Sequence, residues 1–156
     1  MIYQQSDTSI TYEHIIHYAH RIHNQELPNG VTPKCRRIHG HSGKIVATFE
    51  GPLDHESGMI VDFYYIKKIF EKIDEELDHR LLVSEKDEEL LKITARLPKG
   101  SAVILPIPVV SCEYLSTYLL KRINEELTKA GLFEIKCTKV QFWETEKAYA
   151  EAALTN

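Results

Sequence analysis

Residues 11–23 read TYEHIIHYAHRIH. Side chains there alternate with the period of two that marks a strand, so the segment is predicted as β-structure. One side would present His14, Ile16, Tyr18, His20 and Ile22, and the other Ile15, His17, Ala19, Arg21 and His23. Four imidazoles in one strand exceed what a plain sheet core needs, because histidine is not a typical core residue. With His39 and His41, six of the chain's eight histidines fall between residues 14 and 41. The same strand therefore points to a fold and to a site.

Working outward, Pro28, Asn29, Gly30 and Pro33 mark a loop, and a second strand is expected over 41–50. The turn-rich stretch EGPLDHESG follows. Asp62 can cap a helix over 63–77, whose apolar stripe is Phe63, Ile66, Ile69, Phe70, Ile73 and Leu77. Ser84 and Asp87 form a capping-box pattern for a short helix running toward Ile93. Leu97–Gly100 turns the chain, and SAVILPIPV contains a short buried strand limited by Pro106 and Pro108. Ser111 can cap a second long helix with Leu115, Leu119, Ile123 and Leu127 on one face, ending near Ala130–Gly131.

The last strand is expected over 133–144. The arrangement that buries these stripes is α+β, an antiparallel four-stranded sheet with two long helices on one face. The last strand carries Phe133, Ile135 and Trp143 on one side and Val140 and Phe142 on the other. Two helices cover only one face, so this pattern calls for a second covering surface, such as a neighbouring subunit.

A chain of 156 residues with 43% apolar and 27% charged residues fits one domain, residues 1–156, with a substantial core. No apolar run approaches the length of a membrane span, so no membrane partner is expected. The start, MIYQQSDTSITYEH, has no basic and apolar leader pattern. Three cysteines without a CxxC suit a reducing cytoplasm. Net charge is −4 and the basic residues are scattered, which argues against nucleic acid and leaves room for a local phosphate-binding patch.

His39 and His41 flank Gly40. In an extended segment they point to the same side, so two imidazoles can converge on one ion, with no side chain on Gly40 to obstruct the approach. His20 is the best-placed third ligand, with His14, His17 and His23 competing for that role. Three imidazoles and an open fourth position describe a catalytic zinc site. Cys35, four residues before His39, would act as a base or nucleophile if its thiolate is favoured by a nearby cation. Asp78 can orient or charge His79. Glu144, beside Phe142 and Trp143, suits paired hydrogen bonds with the amidine-like edge of a heterocycle.

The pieces HYAHRI at 17–22, CRRIHGH at 35–41, GMIVDF at 58–63, LDHRLL at 77–82, SCEYL at 111–115 and WETEKAYA at 143–150 occur in this order along the chain. Together they resemble the 6-pyruvoyltetrahydropterin and 6-carboxytetrahydropterin synthase family. The resemblance implies a tunnelling fold, in which subunit sheets join into barrels within trimers and two trimers stack into a hexamer with sites at subunit interfaces. It implies zinc on His20, His39 and His41, a proton-abstracting Cys35, a relay of Asp78 and His79, and a pterin ring held by Glu144, with Ser111 and Glu113 nearby.

The Cys-x3-His-Gly-His spacing resembles the branch that converts 7,8-dihydroneopterin triphosphate to 6-carboxytetrahydropterin, acetaldehyde and triphosphate for queuosine and other deazapurines. The alternatives are the pyruvoyl-forming reaction, which keeps the side chain whole, and a noncatalytic zinc- or pterin-binding module. Arg21, Lys34, Arg36 and Arg37 are candidates for the triphosphate. Residues 83–108 are given no role beyond packing. Two departures stand out. Cys112 and Tyr114 lie in a segment where the family commonly has Pro-Thr-Ala-Glu-Asn, and Gly43 stands where an aromatic residue is common.

Overall fold

The structure, a computed structural model, describes residues 8–155. Its strands are β1 (Ser9–His20), β2 (His39–Glu50), β3 (Arg80–Ser84), β4 (Ala102–Leu105), β5 (Lys136–Thr145) and β6 (Ala148–Ala153). Its α-helices are α1 (Phe63–Leu77), α2 (Glu88–Thr94) and α3 (Cys112–Lys129), and a 3-10 turn spans Lys34–Arg36. The six strands form one sheet in the order β4-β3-β1-β2-β5-β6. The β1–β3 and β3–β4 pairs are parallel, and the other neighbours are antiparallel.

The α+β class and the two long helices therefore stand, while the expected four-stranded antiparallel sheet is corrected to a six-stranded mixed one. Two strands account for the difference. β3, RLLVS, starts inside the LDHRLL segment and is too short, with three successive apolar residues, to show a period. β6 is AYAEAA, whose small alternating residues resemble a helix as much as a strand. The first strand runs 9–20 rather than 11–23, and the strand expected over 133–144 is β5, Lys136–Thr145.

The core is the space between the sheet and α1 with α3. Ile16 and Tyr18 from β1, Ile45, Ala47 and Phe49 from β2, and Val140 and Phe142 from β5 meet Ile66, Phe70, Ile73, Leu115, Leu119 and Ile123. Each large side chain taken out of water contributes about 1.5–3 kcal/mol before conformational entropy is subtracted. Asp62 caps α1 by accepting from Tyr64 N–H at 2.8 Å, and Ser111 caps α3. At α2, Asp87 rather than Ser84 is the cap, and the Ser84 hydroxyl is turned to the carbonyls of Ile107 and Pro108.

The two-sided apolar pattern of the last strand has a local cause. Thr48 pairs with Lys139 but Phe49 pairs with Cys137, so Thr138 is an extra residue, a β-bulge. The bulge shifts the side-chain alternation by one. Ile135 and Cys137 before it, and Val140 and Phe142 after it, all enter the same core, while Phe133 is exposed. Within the strand, only Trp143 of these apolar residues lies on the open side. There it lies beneath Lys44 Nζ and against Tyr149.

A charged seam joins the long helices. Glu126, only 3% exposed, accepts from Lys129 at 2.7 Å, Lys72 at 3.0 Å and Arg122 at 3.1 Å. Burial alone would raise its carboxyl. The three cationic donors outweigh that effect and bring it down to about 2.

Candidate metal centre and the open-face dyad

β1 ends and β2 begins side by side, with His20 opposite His39 and Tyr18 opposite His41. This register, with the alternation of each strand, turns His20, His39 and His41 to the helix-covered face. Their ring centroids are 4.6–5.2 Å apart. Glu144 reaches the same point from β5. One ligand atom from each of these four residues lies within 4.8 Å of the others, and no other such group occurs among the described residues.

The imidazoles are arranged for a cation. His20 Nδ1 meets the Val110 carbonyl at 2.6 Å and His39 Nδ1 meets the Arg37 carbonyl at 2.7 Å. A carbonyl only accepts, so each Nδ1 carries the proton and each Nε2 turns a lone pair inward. The Nε2 atoms of all three histidines are buried; those of His20 and His39 have no hydrogen-bond partner, and that of His41 faces only Glu144 Oε1, at 2.8 Å. Left so, the two bare acceptors of His20 and His39 would be costly. A bound divalent ion would take them together with His41 Nε2, beside the Glu144 carboxylate, so the residues present fit a metal.

Burial, reinforced by the neighbouring imidazoles against a bond to Val110 that acts the other way, pushes His20 down to about 4, which favours the neutral ligand form. His41 is also lowered, by burial first and by His39, with Glu144 opposing. His14, His17 and His23, the competitors for the third position, lie elsewhere. His14 bonds Asp74 at 2.6 Å, His17 faces the open side of the sheet, and His23 lies beyond the strand.

Glu144 was expected at the heterocycle and is found against the histidines. Its Oε1 is 2.8 Å from His41 Nε2 and 3.7 Å from His20 Nε2. The ladder to β6 is also irregular at this point. Trp143 pairs with Tyr149 but Thr145 pairs with Ala148, so Glu144 has no partner across the ladder. The N-terminus of α3 closes this end of the site. Val110 supplies the carbonyl to His20, Ser111 accepts from Tyr114 N–H as the cap, and Glu113 is exposed in the first turn. Cys112 Sγ donates to the Phe142 carbonyl at 2.9 Å and ties the helix to β5. Tyr114 turns outward, lining a cleft with Pro106, Ile107 and Pro108.

The Gly43 departure has a steric reason. A Cβ there would lie 2.7 Å from Phe142 Cζ and 2.9 Å from Tyr18 Cε1. The volume that an aromatic residue at 43 would fill is taken by the Tyr18 ring, which packs against His20, His41 and Phe142. Tyr18 was not singled out as a site residue. Its position two residues before His20, on the same face, is the signal that could have found it.

Cys35 lies in the 3-10 turn that leads into β2, half-buried, and its carbonyl accepts from Ile22 N–H at 2.7 Å. This bond holds the turn at the end of the sheet that carries the three histidines. Lys34, Arg36 and Arg37 are exposed on the same turn. Arg21 is not available for a phosphate. It forms a two-pronged bond with buried Asp87 at 2.7 and 2.5 Å and reaches Glu89 at 2.8 Å.

Asp78 and His79 are brought together, but not with the histidine cluster. His79 Nδ1 bonds Asp78 Oδ2 at 2.6 Å. The other carboxylate oxygen accepts from His17 N–H at 2.7 Å, and His79 N–H donates to the His17 carbonyl at 2.6 Å. These bonds hold His79 at φ 57, a left-handed conformation that histidine rarely adopts. Burial would raise Asp78, but the bonds from His17 and His79 prevail and lower it. His79 lines an open cleft of about 530 Å³ with His17, Gly40, Ser42, Arg80 and Leu81. His17 and His20 differ in parity along β1, so dyad and cluster occupy opposite sides of the sheet.

Residues 9–154 match the 6-pyruvoyl tetrahydropterin synthase family. The chain belongs to that family. A protein of Pyrococcus horikoshii, provisionally named a 6-carboxy-5,6,7,8-tetrahydropterin synthase, is 39% identical over 78% of each chain. The Aquifex aeolicus protein named 6-carboxy-5,6,7,8-tetrahydropterin synthase is 30% identical over 85% of this chain and 90% of its own length. The fold is that of solved family structures. The 6-pyruvoyl tetrahydropterin synthase of Plasmodium falciparum superposes with a TM-score of 0.72 at 20% identity, covering 96% of this chain and 98% of its own. An uncharacterized protein of Wolinella succinogenes gives 0.75 at 24% identity, covering 95% and 98%. No helix among the described residues is long and apolar enough to cross a membrane.

Proposed function

We propose that the chain is a 6-carboxy-5,6,7,8-tetrahydropterin synthase, a cytoplasmic lyase that converts 7,8-dihydroneopterin triphosphate to 6-carboxytetrahydropterin, acetaldehyde and triphosphate, on the route to queuosine and related deazapurines. The observation that carries the reading is the convergence of the three buried Nε2 atoms of His20, His39 and His41 beside Glu144 within this family's fold. Relatives at 39%, 32%, 31% and 30% identity bear the carboxy name, three of them provisionally, and this favours the carboxy product over the pyruvoyl one.

Zinc is the metal best suited to three neutral imidazoles with an open position, and when bound it supplies Lewis-acid polarisation of side-chain oxygens. The chain's own residues do the rest. Val110 and Arg37 carbonyls fix the ring orientations of His20 and His39. Cys35 abstracts the side-chain proton from its turn at the same end of the sheet. Glu144 swings from His41 to take the pterin's amino-pyrimidinone edge, with Ser111 and Glu113 of α3 beside it. Asp78 holds His79 in one tautomer, leaving Nε2 as the proton-transfer atom. Lys34, Arg36 and Arg37 present positive charge to the triphosphate.

The opposite-face placement of dyad and cluster supports a site shared between subunits, as does the sheet itself, whose edges β4 and β6 have no neighbour within the chain. On this reading, sheets join edge to edge into a trimer barrel, two trimers form a hexamer, and one subunit's Asp78–His79 meets another's histidines.

Mass spectrometry of the products from 7,8-dihydroneopterin triphosphate tests the reading. Acetaldehyde with 6-carboxytetrahydropterin is the expected outcome. 6-Pyruvoyltetrahydropterin would replace the proposed product, and unchanged substrate would leave a noncatalytic binding module.

A further inference from the structure

The side chain of His17 has no part in the reaction as set out above, yet it stands in the dyad's cleft. Its main chain is the clamp on Asp78 and His79, through the 2.7 Å and 2.6 Å bonds already described. That clamp does not depend on which side chain residue 17 carries. The imidazole itself is exposed to the open face. Its Nδ1 lies 2.9 Å from Oγ of Ser42, its direct cross-strand neighbour, and its ring stands edge-on to His79 with centroids 5.5 Å apart. Both rings are thus oriented through Nδ1, His79 by a carboxylate and His17 by a hydroxyl, and both leave Nε2 for the same 530 Å³ cleft.

The proposed reaction has more proton movements than one imidazole can handle. In its first isomerisation, the C–H bond of the side-chain carbon next to the ring breaks, and its electron pair becomes a C=C bond to the ring carbon. The neighbouring ring imine nitrogen takes up a proton. The enol then collapses: the hydroxyl proton leaves, the C=C pair forms a new C–H bond at the ring carbon, and a ketone remains. Two protons leave and two arrive, with no net oxidation. Cys35 accounts for one departure and His79 for a single exchange.

We infer that His17 is a second proton-transfer residue of this chemistry, resting on the proposed function, with His17 and His79 acting as a pair on one substrate side chain. Ser42 is its positioning residue, as Asp78 is for His79. The pairing places a neutral imidazole to accept one proton beside a second imidazole able to return one, so neither must exchange with solvent between steps.

The test uses the assembled, metal-loaded enzyme. His17→Ala removes the imidazole and keeps the main-chain clamp. His17→Gln keeps most of the volume but cannot carry a proton. Both are expected to lower kcat by roughly 100-fold, the scale of general acid–base catalysis, with zinc content, assembly mass and affinity for a nonreacting pterin unchanged. Added imidazole should restore turnover to H17A, since the deletion opens space beside an existing cleft. Ser42→Ala should give a smaller fall in kcat. Turnover of H17Q within about twofold of the parent overturns the inference, as does a loss in H17A that follows metal or assembly and resists imidazole. A parent enzyme that forms no product from 7,8-dihydroneopterin triphosphate overturns the proposed function and, with it, the inference.

Discussion

Replacing Gly43 by Ala places a methyl group 2.7 Å from Phe142 Cζ, 2.9 Å from Tyr18 Cε1 and 3.3 Å from Phe142 Cε2. Carbon atoms rest at about 3.5–4.0 Å, so the first two contacts overlap by roughly 0.6–0.8 Å at least. Neither ring can swing into solvent, because Phe142 is fully buried and Tyr18 nearly so. Overpacking of this kind costs about 1–3 kcal/mol, and the lower chain entropy of Ala relative to Gly returns about 0.5–1 kcal/mol. The net expectation is a loss of about 1–2 kcal/mol, read from the midpoint of urea unfolding at constant m-value. Because the displaced Tyr18 ring packs on His20 and His41, zinc affinity should fall with stability. Tyr18→Ala alone should cost about 3–5 kcal/mol, as large aromatic deletions do. The double variant should be more stable than the sum of the singles by at least about 1 kcal/mol, since one change vacates the volume the other needs. A G43A protein as stable as its parent, or a double variant additive to within about 0.3 kcal/mol, refutes the shared-volume argument.

The purified protein should hold about one zinc per subunit, and His39→Ala should lose most of it; elemental analysis showing unchanged zinc in H39A would remove the metal assignment. Cys35→Ala should lower product formation by roughly 100-fold with zinc and pterin affinity retained, whereas Glu144→Ala should weaken a nonreacting pterin by about 2–4 kcal/mol in calorimetry. Light scattering should give a mass built on trimers, and a mixture of H39A and H79A subunits, each inactive alone, should regain turnover after joint refolding; a monomeric mass or no regain sinks the shared site. For Glu126, whose carboxyl is lowered in the folded state, the stabilisation is complete above about pH 4.5 and is lost as pH falls toward about 2. Glu126→Gln should therefore be about 2 kcal/mol less stable at neutral pH, after allowance for its half-exposed lysine partners, with the gap closing on acidification in urea titrations.

The sequence made the long elements legible because their periods run uninterrupted. α1 was expected over 63–77 and occupies those residues, and Ser111 does cap α3. The His-Gly-His spacing foretold two rings on one face, since only strand alternation was needed. β6 was illegible because four of its six residues are alanine, leaving Tyr149 and Glu151 too little contrast to set a period. The partners that orient the rings of His20 and His39 are backbone carbonyls of Val110 and Arg37, and no side-chain pattern encodes them. The separation of the dyad from the metal cluster was also hidden, because motif order along the chain says nothing about which side of a sheet each motif faces. Glu144 at the histidines depends on the phase shift at Thr138, which composition cannot reveal.

The bulge at Thr138 makes β5 a strand with two phases. Before it, odd-numbered residues face the core, as Cys137 does; after it, even-numbered ones do, as Val140 and Phe142 do. Glu144 belongs to the second phase, so its aim at His41 depends on how many residues separate it from the helix-packed start of the strand. Deleting one residue near 138 would leave every candidate ligand in the sequence yet force a choice: Cys137 stays in the core and Glu144 turns away, or Glu144 stays and the start of the strand is wrung out of place. The centre can thus be lost by miscounting alone, with its parts intact. An insertion or deletion within β5 is therefore a more severe change than substitution of any residue that merely lines it.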